Sequence, residues 1–596
     1  MSYDRSRAVR ETTADSKARS RWPVDNNPSQ RYPIYTRANI GEVFPDVVKP
    51  FSWTLWGIPH SEPGWRQALC NLGAFDLDEF TPDRMEMLGV FGGYGYLNVS
   101  ASRIFGRRAP GLSPEAIDAS FFGEQPDVPP YEEGPDDVSS EHEAKLAETI
   151  GWVLSAPPLP ELLEARREVI RLRDQRPDLA GLDNATLLSR TREICEGNWE
   201  RLWVRHIMAT YHSMIPSGVI AQICAAVELP HHAADIYAVA GMVDSALPAK
   251  RLWQLGRLVA GSGVLMARFD EGIGVLESRI HDDPEPDAQS FRHAFDAFIR
   301  EFGFRGPNEW EMASRCWEID RATPLAAIDI MRRSDPDASP EARMRERLRA
   351  REAAVSSVEE RLGGDEETLG QFRAAVKAAA VFFAGRERTK TNCAMLTHEM
   401  RMPMWELGRR YTEAGVFTQP NDFSLLTDAE WDAAIDDPES ARDIVRERIE
   451  GEARLAGLQP PFIVNGEVPP TDTWRRRADK VEAEAVTVLQ GQPGCAGVAR
   501  GRARIVDDPG EPGDIGPQDI LVARYTDPSW TPLFSAVAGV VVDVGATVSH
   551  AVIVARELGV PCVTSATDAT RKIPDGALIE VDGGAGTVTL IEGDAA

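Results

Sequence analysis

The sequence predicts an α+β multidomain protein, with a large, mainly α-helical body followed by a small β/α domain. Three observations carry that expectation. The 596-residue chain exceeds one ordinary hydrophobic core, so two or three domains are expected. From about Pro160 to Glu450 a helical pattern repeats at three and four, as at Leu187, Leu188, Thr191, Ile194, Cys195 and Leu202 after a cap at Asp183 or Asn184. Beyond about residue 490 the pattern changes to short valine-rich runs separated by glycine turns.

In chain order, residues 1–30 are polar and charged and read as a mobile N-terminal arm. Residues 31–465 make the helical body, interrupted at 127–143 by DVPPYEEGPDDVSSEHE, a proline-rich acidic stretch that reads as an exposed loop. Residues 466–490 lose their periodicity and read as a hinge linker, and 491–592 form the compact β/α domain.

Composition narrows the function. A formal net charge of −28 argues against a nucleic-acid partner, because phosphate contacts need clustered Lys and Arg, although a small anion can still occupy a local basic pocket. Seven cysteines with no C-x-x-C spacing suggest neither a disulfide framework nor a zinc site, and no metal site is expected. The reducing cytoplasm fits that usage. No run approaches the ~18 apolar residues of a membrane span, and the N-terminus has no apolar signal core, so no membrane partner is expected.

The most informative stretch is VAGVVVDVGATVSHAVIVARELGVPCV, Val537 to Val563. Gly539 to Gly545 reads as a buried strand, and Ser549 to Leu558 as a helix with Val552, Ala555 and Leu558 on one face. His550 falls on its first turn. Thr547 or Ser549 can cap that turn, Gly559 suits the left-handed position after the last turn, and Pro561 prevents continuation. First-turn amides and the positive end of the helix dipole would favour an anion on the imidazole.

The T-x-S-H, the following A-x-x-x-A-R-E-L-G-x-P and the preceding GVVVDVGA resemble the phosphohistidine swivelling domain of the phosphoenolpyruvate-utilising enzymes. The resemblance runs from roughly Gly491 to Leu590 and includes GQPGCAGVARGRARIV, DILVARYTDPSWTPLF and PDGALIEVDGGAGTVTL. It implies that His550 is the phosphorylated carrier, supported by Thr547 and Ser549. The family more often has Gly-Gly before the motif; here Val544 to Ala546 stay small.

A second anomaly lies in QFRAAVKAAAVFFAGRERTKTNCAMLTHEMR. Its apolar stripe, Phe372, Val376, Ala379 and Phe383, continues at the same spacing into Arg386, Glu387 and Lys390. Either a charged helix end emerges into solvent there, or a buried charged cluster faces a cleft. The R-E-x-x-K resembles the acceptor-site motif of the rifampin phosphotransferase branch. YTRANIGEVFPDVVKPFSW, FGGYGYLNVS and FGFRGPNEWEMASRCWE resemble the same substrate-binding domain, spread over residues 31–490. These segments add Arg37, Glu42, Tyr96, Asn98 and Arg305 as weaker substrate-binding candidates. Arg37 and Arg305 could equally pair with Glu42 and Glu309. Phe304 stands where relatives often carry histidine, which makes the pocket less polar.

The resemblance implies that an acceptor hydroxyl attacks phospho-His550, with Glu387 accepting or orienting its proton and Arg386 and Lys390 offsetting phosphoryl charge. The sequence has no G-x-x-x-x-G-K-[ST] loop, no ATP-grasp-like stretch and no phosphoenolpyruvate-binding barrel. In this it resembles the split phenylphosphate and cresol phosphate synthases. That likeness implies a two-component phosphotransferase in which ATP and Mg²⁺ bind a separate ATP-grasp nucleotide-binding subunit, with no organic cofactor on this chain. The acceptor would be a small hydroxylated organic molecule, phenolic if the pocket is apolar. Two alternatives are a non-catalytic ligand-binding or regulatory homologue and a phosphoenolpyruvate-dependent phosphotransferase.

Overall fold

The structure is a computed structural model that describes residues 21–122, 128–237, 244, 247–337, 339–477, 488–510, 512–545 and 549–591. The helices used below are α1 (Glu62–Asn71), α2 (Ser100–Arg108), α3 (Asn184–Ala226), α4 (Leu247–Ala260), α5 (Pro286–Phe302), α6 (Ala322–Arg333), α7 (Pro340–Arg361), α8 (Glu366–Glu413), α9 (Glu439–Ala456), α10 (Thr531–Ala536) and α11 (His550–Leu558). The chain folds as two compact units. The first comprises Met1–Ile220, Asn308–Ser314 and Gln371–Asp479, and the second Ala221–Pro307, Arg315–Gly370 and Lys480–Ala596. One crossing between the units, after Asp479, falls within the boundary expected at 466–490. The others were not expected: two fall inside α3 and α8 and two between α5 and α6, because residues 221–307 and 315–370 bury their apolar faces within the unit that also holds the β/α domain. Of the expected hinge, 478–487 lie outside the described residues.

In the first unit, α3 starts where the sequence places it: the Asp183 carboxylate accepts the Thr186 amide at 2.7 Å. A four-stranded antiparallel sheet runs in the order β2 (Leu88–Phe91), β3 (Tyr94–Asn98), β1 (Ile34–Thr36), β4 (Ile463–Asn465). The β2–β3 hairpin turns on Gly92 and Gly93, at φ 56° and 83°, the left-handed pair that a two-residue hairpin loop requires. Residues 21–30 are docked rather than mobile. Trp22 and Val24 are buried, Trp22 Nε1 donates to Val48 O at 2.7 Å, and Asp25 accepts the Gly93 amide at 2.7 Å. Residues 1–20 of the expected arm lie outside the described residues.

Of the acidic loop expected at 127–143, Asp127 lies outside the described residues, 128–139 are loop with half of the residues exposed, and Ser140–Glu143 instead open a helix, Ser140–Leu154, capped by the Ser139 hydroxyl. The loop is anchored. Arg103 donates to Pro129 O at 2.8 Å, and Arg108 to Asp136 O at 2.6 Å. Arginine stems on α2 thus hold a segment that has little apolar surface of its own.

In the second unit, α4, α5 and α6 pack Leu252, Val259, Phe291, Phe295, Phe298 and Ile328 into one core. The β/α domain is an eight-stranded sheet. Its strands are β5 (Val488–Gln490), β6 (Gln492–Cys495), β7 (Val498–Ile505), β8 (Asp519–Ala523), β9 (Gly539–Val542), β10 (Cys562–Thr564), β11 (Leu578–Asp582) and β12 (Thr587–Leu590). Their order is β5-β12-β11-β7-β8-β9-β10-β6, with β7 to β10 parallel and the flanks antiparallel. Alternate residues of β8 and β9 face opposite cores: Leu521, Val540 and Val542 on one side, Ile520, Val522 and Val541 on the other. Burial on both faces explains the unbroken valine run. Arg347 of α7 ties helices to sheet, donating through Nε to Arg556 O at 3.0 Å.

Gly408 on α8 sits against the chain at Pro420: a Cβ there would lie 1.9 Å from Pro420 O and 2.9 Å from its carbonyl carbon. Alanine normally favours a helix, so the sign is diagnostic. Gly408→Ala is expected to destabilise by about 1–3 kcal/mol in urea unfolding through overpacking. A variant as stable as wild type would contradict this close approach.

Candidate active site

His550 opens α11, the crossover helix between parallel strands β9 and β10. Ser549 is its N-cap: φ −70° and ψ 163° keep it extended, and its hydroxyl accepts the Val552 amide at 3.3 Å. Gly559 ends the helix at φ 65°, with the Val560 amide bonded back to Ala555 O at 2.9 Å. Both features match the expectation from sequence. Thr547, the other expected cap, lies outside the described residues.

The imidazole is 5% exposed and has a hydroxyl at each nitrogen, Thr526 Oγ1 3.2 Å from Nδ1 and Thr531 Oγ1 3.4 Å from Nε2. Phe534 meets the ring edge-on at 6.1 Å. Thr526 follows β8, whereas Thr531 and Phe534 belong to α10, so the histidine sits where loops leave the carboxyl ends of adjacent parallel strands. Ligand sites of open α/β sheets occupy that position. Asp543, directly after β9, accepts the Thr570 amide at 2.8 Å, and burial raises its carboxyl to about 7.

In the first unit, α8 does not end at the charged turn but runs on to Glu413, so the solvent-emergence alternative fails. Glu387 is 5% exposed, and Arg386 Nη1 lies 3.5 Å from its Oε1. Arg386 is 14% exposed and Lys390 half-buried. One further group joins them. His206 on α3 has Nδ1 3.1 Å from Thr389 Oγ1, and that hydroxyl donates to Arg386 O at 2.8 Å. Burial, reinforced by the positive charges of Arg386 and Lys390, pushes His206 down to about 3.

The weaker candidates stand elsewhere. Arg37 is bonded into the fold: Nη1 donates to Gly95 O at 2.7 Å and Nη2 to Phe44 O and Pro45 O at 3.0 and 3.2 Å, beneath the Tyr94 and Tyr96 rings. Tyr96 donates to Pro461 O at 2.7 Å, and Asn98 bridges Tyr32 O and the Ala101 amide at 2.7 and 2.9 Å. Glu42 is buried in a short helical turn. These four organise the small sheet and its surroundings rather than joining the R-E-x-x-K turn. Arg305 belongs to the second unit, 1% exposed, with its guanidinium 4.9 Å over Phe304.

Sequence reasoning did not single out Thr526, Thr531 or His206. The threonines lie in the DILVARYTDPSWTPLF segment already matched to the family, but only the fold brings them to the ring. His206 had no signal in the sequence beyond its place on a helix. Among the described residues no group of three or more His, Cys, Asp or Glu could hold a metal ion, and no helix is long and apolar enough to cross a membrane.

Parts of the chain are similar to known proteins. Residues 515–586 match the family described as PEP-utilising enzyme, mobile domain, and residues 205–387 match the rifampicin phosphotransferase fourth domain. An uncharacterized protein of Mycobacterium tuberculosis is 33% identical over 351 residues, covering 56% of this chain and 37% of that protein. The prodigiosin synthesizing transferase PigC of Serratia marcescens is 30% identical over 322 residues, 52% of this chain and 35% of its own length. A rifampicin phosphotransferase of Streptomyces sviceus is 29% identical over 312 residues, with 51% and 35% covered. The chain spans little more than a third of the length of these curated relatives.

Two outcomes are expected. Ser549→Ala removes the cap of α11 and should cost about 1 kcal/mol of stability in chemical unfolding. An unfolded histidine ionises near 6.5 but folded His206 only at about 3, so between those values the unfolded chain binds the extra proton. Stability is therefore retained above 6.5 and falls as pH drops towards 3. His206→Gln should flatten that decline in urea midpoints measured across the window; His212, lowered by burial to about 4, contributes equally to both proteins.

Proposed function

We propose that this chain, a member of the rifampicin phosphotransferase-like family of phosphoenolpyruvate-utilising proteins, carries a phosphoryl group on His550 and passes it to the hydroxyl of a small organic acceptor. The observation that carries the reading is the placement of His550: the first residue of a capped helix, at the carboxyl edge of parallel strands, with a threonine hydroxyl at each ring nitrogen. The positive end of the helix dipole favours an anion at that position, and the hydroxyls orient the imidazole so that one nitrogen can be presented to phosphorus.

The acceptor site is the R-E-x-x-K turn of α8. Arg386 and Lys390 offset the charge on the equatorial phosphoryl oxygens, and Glu387 aligns Arg386 and the acceptor hydroxyl. A phenolic acceptor suits the aromatic residues around this turn, Trp203 and Trp310 among them. The phosphoryl donor is ATP with Mg²⁺ on a separate ATP-grasp subunit, which makes the system two-component and of the phenylphosphate synthase type. A cytoplasmic location is the one that the cysteine usage favours, seven residues with no C-x-x-C spacing.

The experiment is the intact mass of the chain after incubation with ATP, Mg²⁺ and a candidate ATP-grasp partner, wild type against His550→Ala. One acid-labile phosphate is expected on wild type and none on the variant. Phosphate retained on His550→Ala, or its absence from wild type with a demonstrably active partner, rejects the carrier role. ATP alone should leave the chain unmodified.

A further inference from the structure

The charged turn of α8 has a neighbour that the R-E-x-x-K pattern does not include. His206 reaches it from α3 and is surrounded by indoles. Its ring centroid is 5.8 Å from Trp203 and 5.5 Å from Trp310, and those two indoles meet edge-on at 5.5 Å. We propose that His206 is the base that takes the acceptor's hydroxyl proton, and that Trp203 and Trp310 select a planar aromatic alcohol as that acceptor. This rests on the carrier reading of His550.

The tautomer follows from hydrogen counting. A threonine hydroxyl has one hydrogen, and Thr389 directs it to Arg386 O at 2.8 Å. Its oxygen is then the acceptor towards His206 Nδ1 at 3.1 Å, so Nδ1 carries the proton and Nε2 keeps its lone pair. Thr389 in this way fixes the ring as one that can receive a proton only at Nε2.

The electrostatics make that basicity conditional. Burial and the two neighbouring cations keep the ring neutral, so it is an idle base by itself. Burial remains the larger cause, but a phosphoryl group arriving between Arg386 and Lys390 offsets the two charges that add to it and brings a negative charge of its own, so the imidazole gains basicity when transfer is due. In the transfer step the acceptor oxygen–phosphorus bond forms as the phosphorus–nitrogen bond at His550 breaks. The bond pair stays on the His550 nitrogen, and the hydroxyl proton passes to His206 Nε2. Glu387 is a poorer choice of base, since it is buried and faces Arg386.

The aromatic preference has its own support. Trp203 and Trp310 are 7% and 4% exposed, and their indole Nε1 atoms have no hydrogen-bond partner among the described residues. Two flat walls suit a planar ring better than an aliphatic chain, and the two unspent N–H donors suit oxygen substituents on it. His206 and Lys390 retain accessible surface, so the polar end of this aromatic wall can be reached.

The test uses the full chain labelled with ¹⁵N-histidine, the His206 signals being assigned by their loss in His206→Gln and, independently, in His206→Asn. Phenyl phosphate and cyclohexyl phosphate are the probes, titrated into the chain and into Trp310→Leu by calorimetry. The Nδ1–H tautomer is expected at neutral pH, with its resonances moved by phenyl phosphate. Phenyl phosphate should bind about tenfold tighter than cyclohexyl phosphate, a margin that should shrink to about twofold in Trp310→Leu. An Nε2–H or protonated ring at neutral pH, unmoved His206 signals, or equal affinities for the two probes would overturn the proposal. His206→Gln should still acquire phosphate on His550 from ATP and the partner. Loss of that adduct from wild type refutes the carrier reading alone, because the tautomer and the probe preference are read without phosphorylation.

Discussion

For the carrier role proposed above, a buried imidazole must have its orientation held without its nitrogens being consumed. In the second unit that constraint is met by hydroxyls rather than by charges. Thr526 and Thr531 approach the two nitrogens of His550 at 3.2 and 3.4 Å, and a hydroxyl can donate or accept according to which nitrogen is substituted. A carboxylate in either position would fix one protonation state more firmly and would repel a phosphoryl group. The parallel strands β8 and β9 deliver both partners and the helix start to one edge. The valine-rich core that keeps those strands in register is therefore also what keeps the ring aimed.

The first unit solves a different electrostatic problem. Arg386, Glu387 and Lys390 occupy a helix turn that would otherwise be apolar, and the charges are tolerated because they are grouped and retain some access to solvent. Burial, reinforced by the positive charges of Arg386 and Lys390, holds His206 neutral. Arg37 is the contrast: its guanidinium is as buried but satisfied by three main-chain carbonyls, so it stabilises the path of the chain and has little left for a ligand.

Local signals were legible where the chemistry is local. The N-cap at Ser549, the left-handed Gly559 and the position of His550 on the first turn follow from residue types at fixed spacing, and the structure has all three. The charged turn of α8 was visible as a break in the apolar stripe, with a helix end and a buried cluster both open, and the run of α8 to Glu413 decides between them. Relations between distant segments were not legible. Thr526 precedes His550 by twenty-four positions, His206 precedes Thr389 by far more, and neither pair leaves a periodic trace. The crossing after Asp479 lies where the sequence loses its periodicity, whereas the crossings inside α3 and α8 were missed because they fall within continuous helices that no linker marks. Trp22 and Val24 show how two apolar residues suffice to dock a segment that composition makes look like a free arm.

The aromatic wall beside His206 extends well past it. Trp203 stacks on Trp199 at 6.1 Å, Trp199 lies 4.7 Å from Trp56, Trp56 touches Trp53, and Trp65 meets Trp203 at 5.8 Å. With Trp310, nearly half of the 14 tryptophans stand in one connected chain of rings. Indoles this close exchange excitation energy and couple their electronic transitions. Light absorbed anywhere along the row migrates among its members, and an electron-poor molecule entering at the His206 end would quench emission from rings it never touches. The ultraviolet optical spectrum of the whole protein is thereby weighted towards one small region of its interior.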